Sequence, residues 1–84
     1  MSAEGRRIQR VQTGVRIEKN ILRVLKGLAE YLEISLGDLL EGIVLHTFEG
    51  KAPFSPETLA VIDQLKGIYG LELTAEDSHR LVEE

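Results

Sequence analysis

One stretch of this 84-residue chain alternates with a period of two, and no other stretch does. Val11, Thr13, Val15 and Ile17 fall on one face, with Gln12, Gly14 and Arg16 on the other. That is the pattern of a short, half-buried strand, weakened by a glycine that brings no side chain to pack. A strand standing alone leaves its ladder N–H and C=O groups unpaired. The pattern therefore predicts a partner strand from a second copy, paired antiparallel across a two-fold axis. Size argues the same way. A chain of this length buries only about two-thirds of the surface its unfolded form exposes. With no cysteine, neither a disulfide nor a thiolate metal site can reinforce it. Oligomerisation is the remaining route.

After Ile17 the period becomes helical. Ile21, Val24, Leu25, Leu28, Ala29 and Leu32 share one face, with Leu22 and Tyr31 at its edges and Lys19, Arg23, Lys26, Glu30 and Glu33 opposite. Ser35 reads as an N-cap with Asp38 three residues on. The helix it starts is expected over 36–49, with an apolar stripe of Leu36, Leu39, Leu40, Ile43, Val44, Thr47 and Phe48, and Gly50 as its cap. A short linker, 50–53, leads to Phe54-Ser55-Pro56-Glu57. This is a strong helix start, in which Phe54 is expected to staple onto Leu59. The apolar face of that helix is Val61, Ile62, Leu65, Ile68 and Tyr69, and Gly70 ends it. Thr74 and Asp77 predict a last helix from Ala75 to about Val82.

Charge is distributed unevenly behind a formal net charge of -4. Residues 1–27 carry Arg6, Arg7, Arg10, Arg16, Lys19, Arg23 and Lys26 against Glu4 and Glu18, a balance of +5. The remaining residues carry -9. An acidic body with one basic end points to a polyanion held at that end. Arg6, Arg7 and Arg10, in an arm over 1–10 expected to be flexible, and Lys19 on the first helix are candidates for phosphate contacts.

The order of basic strand, helix, tight turn and helix resembles the ribbon-helix-helix family of transcriptional regulators, which includes the Arc and methionine repressors. The residues that carry the resemblance are Val11-Gln12-Thr13-Gly14-Val15-Arg16-Ile17 running into Glu18-Lys19-Asn20-Ile21-Leu22. It continues through Leu25, Leu28, Ala29 and Leu32 and then Ile34-Ser35-Leu36-Gly37-Asp38-Leu39-Leu40. The resemblance implies a mainly α fold: an intertwined homodimer with a two-stranded antiparallel β-ribbon over 11–49, followed by a helical extension over 50–84. It implies that the ribbon lies in the DNA major groove, with Gln12 and Arg16 reading base edges and Gly14 allowing close approach. It also implies that the backbone N–H groups of Ser35, Leu36 and Gly37 clamp a phosphate at a helix N-terminus. Two departures stand out. Gly14 can read no base, and Glu33 occupies a turn position where the family often has glycine.

The expected function is a sequence-specific DNA-binding regulator, a repressor, acting as a homodimer on palindromic or inverted half-sites, with higher-order assembly along DNA left open. One alternative is an antitoxin whose residues 50–84 bind a toxin; another is a helical interaction module that does not touch DNA. Catalysis has no constellation to support it. Ser35, Ser55 and Thr74 read as caps, no glycine-rich phosphate loop is present, and His46 with Glu49 is an isolated pair at the edge of an apolar stripe. No enzyme activity, cofactor or metal is expected. Without an apolar run of about 18 residues or a leader-like segment after Met1, the expected location is cytoplasmic, away from membranes.

Overall fold

The computed structural model of the chain describes residues 5–84, so the first four residues of the expected arm lie outside it. Helix α1, Lys19–Leu32, is opened by Glu18, whose carboxylate accepts from the Ile21 N–H at 2.8 Å. Glutamate is not among the preferred capping residues, yet here it satisfies one of the first-turn donors that every helix leaves open. The helix ends at Glu33, which takes the left-handed conformation at φ 59°. The N–H groups of Glu33 and Ile34 both turn back onto the last α1 carbonyls.

Helix α2, Leu36–Phe48, starts on Ser35, whose Oγ accepts from the Asp38 N–H at 3.0 Å. It is closed by Gly50 at φ 69°, with the Lys51 N–H donating to the His46 carbonyl at 2.8 Å. Helix α3, Pro56–Tyr69, has Ser55 as N-cap and Gly70 as its left-handed terminator. Beyond it lies a single 3₁₀ turn, Ala75–Asp77, in which Thr74 and Asp77 form a reciprocal capping box. The expected helix to Val82 stops there. Ser78 turns extended, His79 adopts φ 67°, and the Arg80 N–H donates to the Asp77 carbonyl instead of continuing the helical ladder.

The expected β-ribbon is absent. Among the described residues there is no strand and no sheet; the fold is three helices, all α. Residues 11–17 alternate as a strand does, but nothing among the described residues offers them a ladder, and every one of them is exposed. Alternation sorts side chains to two faces; it does not supply the partner whose N–H and C=O groups make a strand stable. At Gly14 nothing approaches within 4 Å of where a Cβ would sit, and its φ is not in the left-handed range. The ribbon-helix-helix architecture expected from the sequence is therefore corrected to a three-helix arrangement with an irregular basic segment before it.

Helix α1 is the centre of the packing, with α2 and α3 both laid against it. Leu28, Ala29 and Leu39 form the buried cluster, and Leu28 is only 2 % exposed. Around it pack Leu25, Leu32, Ile34 and Ile43, with Phe54, Val61, Ile62 and Leu65 arriving from the far side of the linker. Phe54 thus serves the core, while its expected staple partner Leu59 is exposed. Ile68, placed by periodicity on the inner face of α3, is also exposed. Gly27 permits the α1–α3 approach: a Cβ there would meet Leu65 Cδ2 at 3.0 Å and Tyr69 Cε2 at 3.6 Å.

Helix α2 is only half covered. Leu39 is buried and Leu36, Leu40 and Ile43 are half-buried, but Leu45 is 63 % exposed and Phe48 79 %. The chain presents 7501 Å² of surface, against about 5,000 Å² for a compact monomer of this mass by the usual area–mass scaling. No helix among the described residues is long and apolar enough to cross a membrane.

Candidate nucleic-acid interface

All seven cationic side chains of the first 27 residues are exposed: Arg6, Arg7, Arg10, Arg16, Lys19, Arg23 and Lys26. Three of them are spaced along α1 on the face opposite Val24, Leu28 and Ala29, because the inner face is fully committed to packing. Lys19 stands in the first turn of α1, where a cation opposes the helix dipole. The acidic cap Glu18 beside it supplies the compensating charge.

Two of the seven cations are already engaged. Arg10 makes a two-pronged contact with Glu41 of α2, its Nε and Nη2 donating to the two carboxylate oxygens at 2.8 Å each. This contact raises the Arg10 pKa further and holds the Glu41 carboxyl below the usual carboxylate range. The hydrogen bond leads the effect on both groups, and the charge of Asp38 adds to that on Arg10. Arg16 is ion-paired with Glu83 near the other end of the chain. Among the described residues, the other five cations have no ion-pair partner.

The residues expected to contact DNA are therefore placed in three settings. Gln12, Gly14 and Arg16 sit on the exposed irregular segment rather than on a ribbon, with Arg16 turned to Glu83. Arg6, Arg7 and Lys19 are exposed and have no acidic partner among the described residues, whereas Arg10 is tied to α2. Ser35, Leu36 and Gly37 form the start of α2, where Ser35 Oγ is used as the cap. The nearest atom to a Cβ built on Gly37 is that same Oγ at 4.0 Å, so no neighbouring helix requires a glycine there. Asp38 places a carboxylate in that first turn, which opposes an anion at the site.

Sequence reasoning did not foresee Glu41 and Glu83 as partners of the basic segment. The readable signal was the acidic balance of everything after residue 27, which has to meet the basic end somewhere. His46 is accounted for within its own helix. Its Nδ1 lies 2.7 Å from the Gly42 carbonyl, so that nitrogen carries the proton and donates. Among the described residues, no group of three or more His, Asp or Glu side chains could hold a metal ion. Compared with protein-family models, curated proteins and solved structures, the chain matches none of them.

Proposed function

We propose that this chain binds double-stranded DNA through residues 6–26 and acts as a transcriptional regulator. The observation that carries the reading is the exposure of all seven cations of that segment on a body whose remaining residues sum to -9. Phosphates meet Arg6, Arg7, Lys19, Arg23 and Lys26 directly, and Arg10 and Arg16 after release from their carboxylates. The acidic body is repelled by the duplex, which orients the basic end toward it. Gln12 and Arg16 carry the side-chain chemistry that reads base edges once the segment lies in a groove.

The proposal includes a second copy of the chain. Val44, Leu45 and Phe48 on α2 and Val11 and Val15 on the basic segment are all exposed apolar side chains. A stable interface takes about 800 Å² from each partner, and these neighbouring apolar side chains are the surface it would draw on. A two-fold pair brings two basic ends to one duplex and calls for inverted half-sites. Val61, Ile62 and Leu65 of α3 help complete the core, which argues against residues 50–84 being given over to a separate protein partner.

The test is binding to random-sequence duplex across salt. Engagement of about seven phosphates per chain gives a log–log slope near -6 and a loss of roughly 10³- to 10⁴-fold between 50 and 200 mM salt. Absence of binding, or affinity indifferent to salt, would reject the reading.

A further inference from the structure

The basic segment carries its own competitor. Arg16 is ion-paired with Glu83, and Arg16, Ile17, Glu18 and Lys19 line one side of a cleft of about 580 Å³ whose other side is Leu81, Val82, Glu83 and Glu84. The acidic pair Glu83–Glu84 thus lies across the place where the basic segment enters α1. Little else holds it there. Val82 is 90 % exposed, Leu81 is exposed too, and no backbone hydrogen bond reaches beyond Arg80 among the described residues. A segment kept in place chiefly by an exposed ion pair is held weakly and is displaced by a stronger anion.

We propose that residues 81–84 act as a built-in anion which occupies Arg16, beside Lys19, and must be displaced before a phosphate backbone can take that guanidinium. This regulatory role rests on the DNA-binding reading. An exposed ion pair is worth about 0.2–1 kcal/mol, so the docked state outweighs the undocked one by about 1.4- to 5-fold. Removing it raises DNA affinity by about two- to six-fold. Salt weakens the docking and the DNA contact alike, so the gain is largest at low ionic strength.

The experiment compares the wild-type chain with Glu83→Gln/Glu84→Gln and with a control of equal charge change on α3, Glu57→Gln/Asp63→Gln. Binding to random duplex at low salt is measured, alongside the rate of tryptic cleavage after Arg16 in the free protein. The expected result is two- to six-fold tighter DNA binding and faster Arg16 cleavage in the Glu83/Glu84 variant only. Equal tightening in the control would overturn the proposal in favour of bulk charge, and unchanged affinity in a chain that binds DNA would overturn it directly. An unchanged Arg16 cleavage rate removes the contact itself, whatever DNA does. If no protein binds duplex while Arg16 cleavage still accelerates, the DNA reading fails and the competitor role with it, and the contact stands.

Discussion

Helices α1 and α2 are of nearly equal length, 14 and 13 residues, and are joined by Glu33, Ile34 and Ser35. In α1 the aliphatic side chains lie toward α2 and α3, with Tyr31 exposed at the edge, and the outward face is Lys19, Arg23, Lys26 and Glu30. In α2 one apolar side faces α1 through Leu39 and Ile43, while Val44, Leu45 and Phe48 face outward with no helix among the described residues over them. The difference separates what the chain completes by itself from what it leaves for another molecule. An isolated exposed leucine needs no explanation, but several neighbouring ones on a single helix mark a surface made to be covered.

The sharpest way to break this comparison is to cut into each helix in turn. Leu28→Ala on α1 should cost about 2–5 kcal/mol in urea denaturation, since it opens a cavity among Ala29, Leu39 and the α3 side chains. Leu45→Glu on α2 should change the stability of the dilute chain by no more than about 0.5 kcal/mol. The same substitution should abolish self-association in sedimentation equilibrium. If Leu45→Glu were as damaging as Leu28→Ala in dilute solution, α2 would be part of the single-chain core and the contrast would vanish.

A smaller effect is expected at the junction. Glu33 holds φ 59°, a conformation that costs a residue with a Cβ about 1–2 kcal/mol. Glycine relieves that strain and loses about 0.4–1 kcal/mol through the greater freedom of its unfolded chain. Glu33→Gly should therefore stabilise the protein by up to about 1 kcal/mol, read as a raised urea midpoint at unchanged slope. Destabilisation would mean that the Glu33 side chain has a role in the turn beyond its backbone geometry.

What could be read from the sequence divides along the same line. Local chemistry was legible: Ser35 and Ser55 cap the helices they were expected to cap, the Thr74–Asp77 box forms but opens only a 3₁₀ turn, and Gly50 and Gly70 sit in left-handed terminations. Each of these signals acts within a few residues of itself. What was not legible depends on distant or absent partners. The alternation over 11–17 looked like a strand because side-chain pattern survives without a ladder, whereas a strand does not. The periodicity of helix α2 reads as one broad stripe, and only packing decides that Leu39 goes inside while Phe48 stays out. Of the candidate interface, the composition of the basic end was plain, but Arg10–Glu41 and Arg16–Glu83 join residues far apart in the sequence and follow from no local rule. Gly27 went unremarked for the same reason, because its purpose is Leu65, on another helix.

The smallest expected effect concerns the one place where the uncovered side of α2 receives partial cover. Ile8 lines a shallow cleft of about 410 Å³ with Leu40, Val44 and Leu45, and the neighbouring Arg10–Glu41 contact ties that segment down. Arg10 already titrates far above any usable pH, and its partner raises it further, so only Glu41 can switch the contact. The Glu41 carboxyl is held below its ordinary value by Arg10, so ionised Glu41 favours the docked state. The contribution is fully present above the ordinary glutamate value of about 4.3 and is lost as pH falls through the lowered value in the folded chain. Methyl resonances of Ile8 should therefore hold steady from neutral pH down past that ordinary value and shift only below it, and Glu41→Gln should remove the transition. Both groups are exposed, so salt should release the segment as acid does. An Ile8 signal that moves with the ordinary carboxylates, or ignores Glu41→Gln, would leave the outer side of α2 bare in the single chain. The contrast with α1 would then be complete rather than partial.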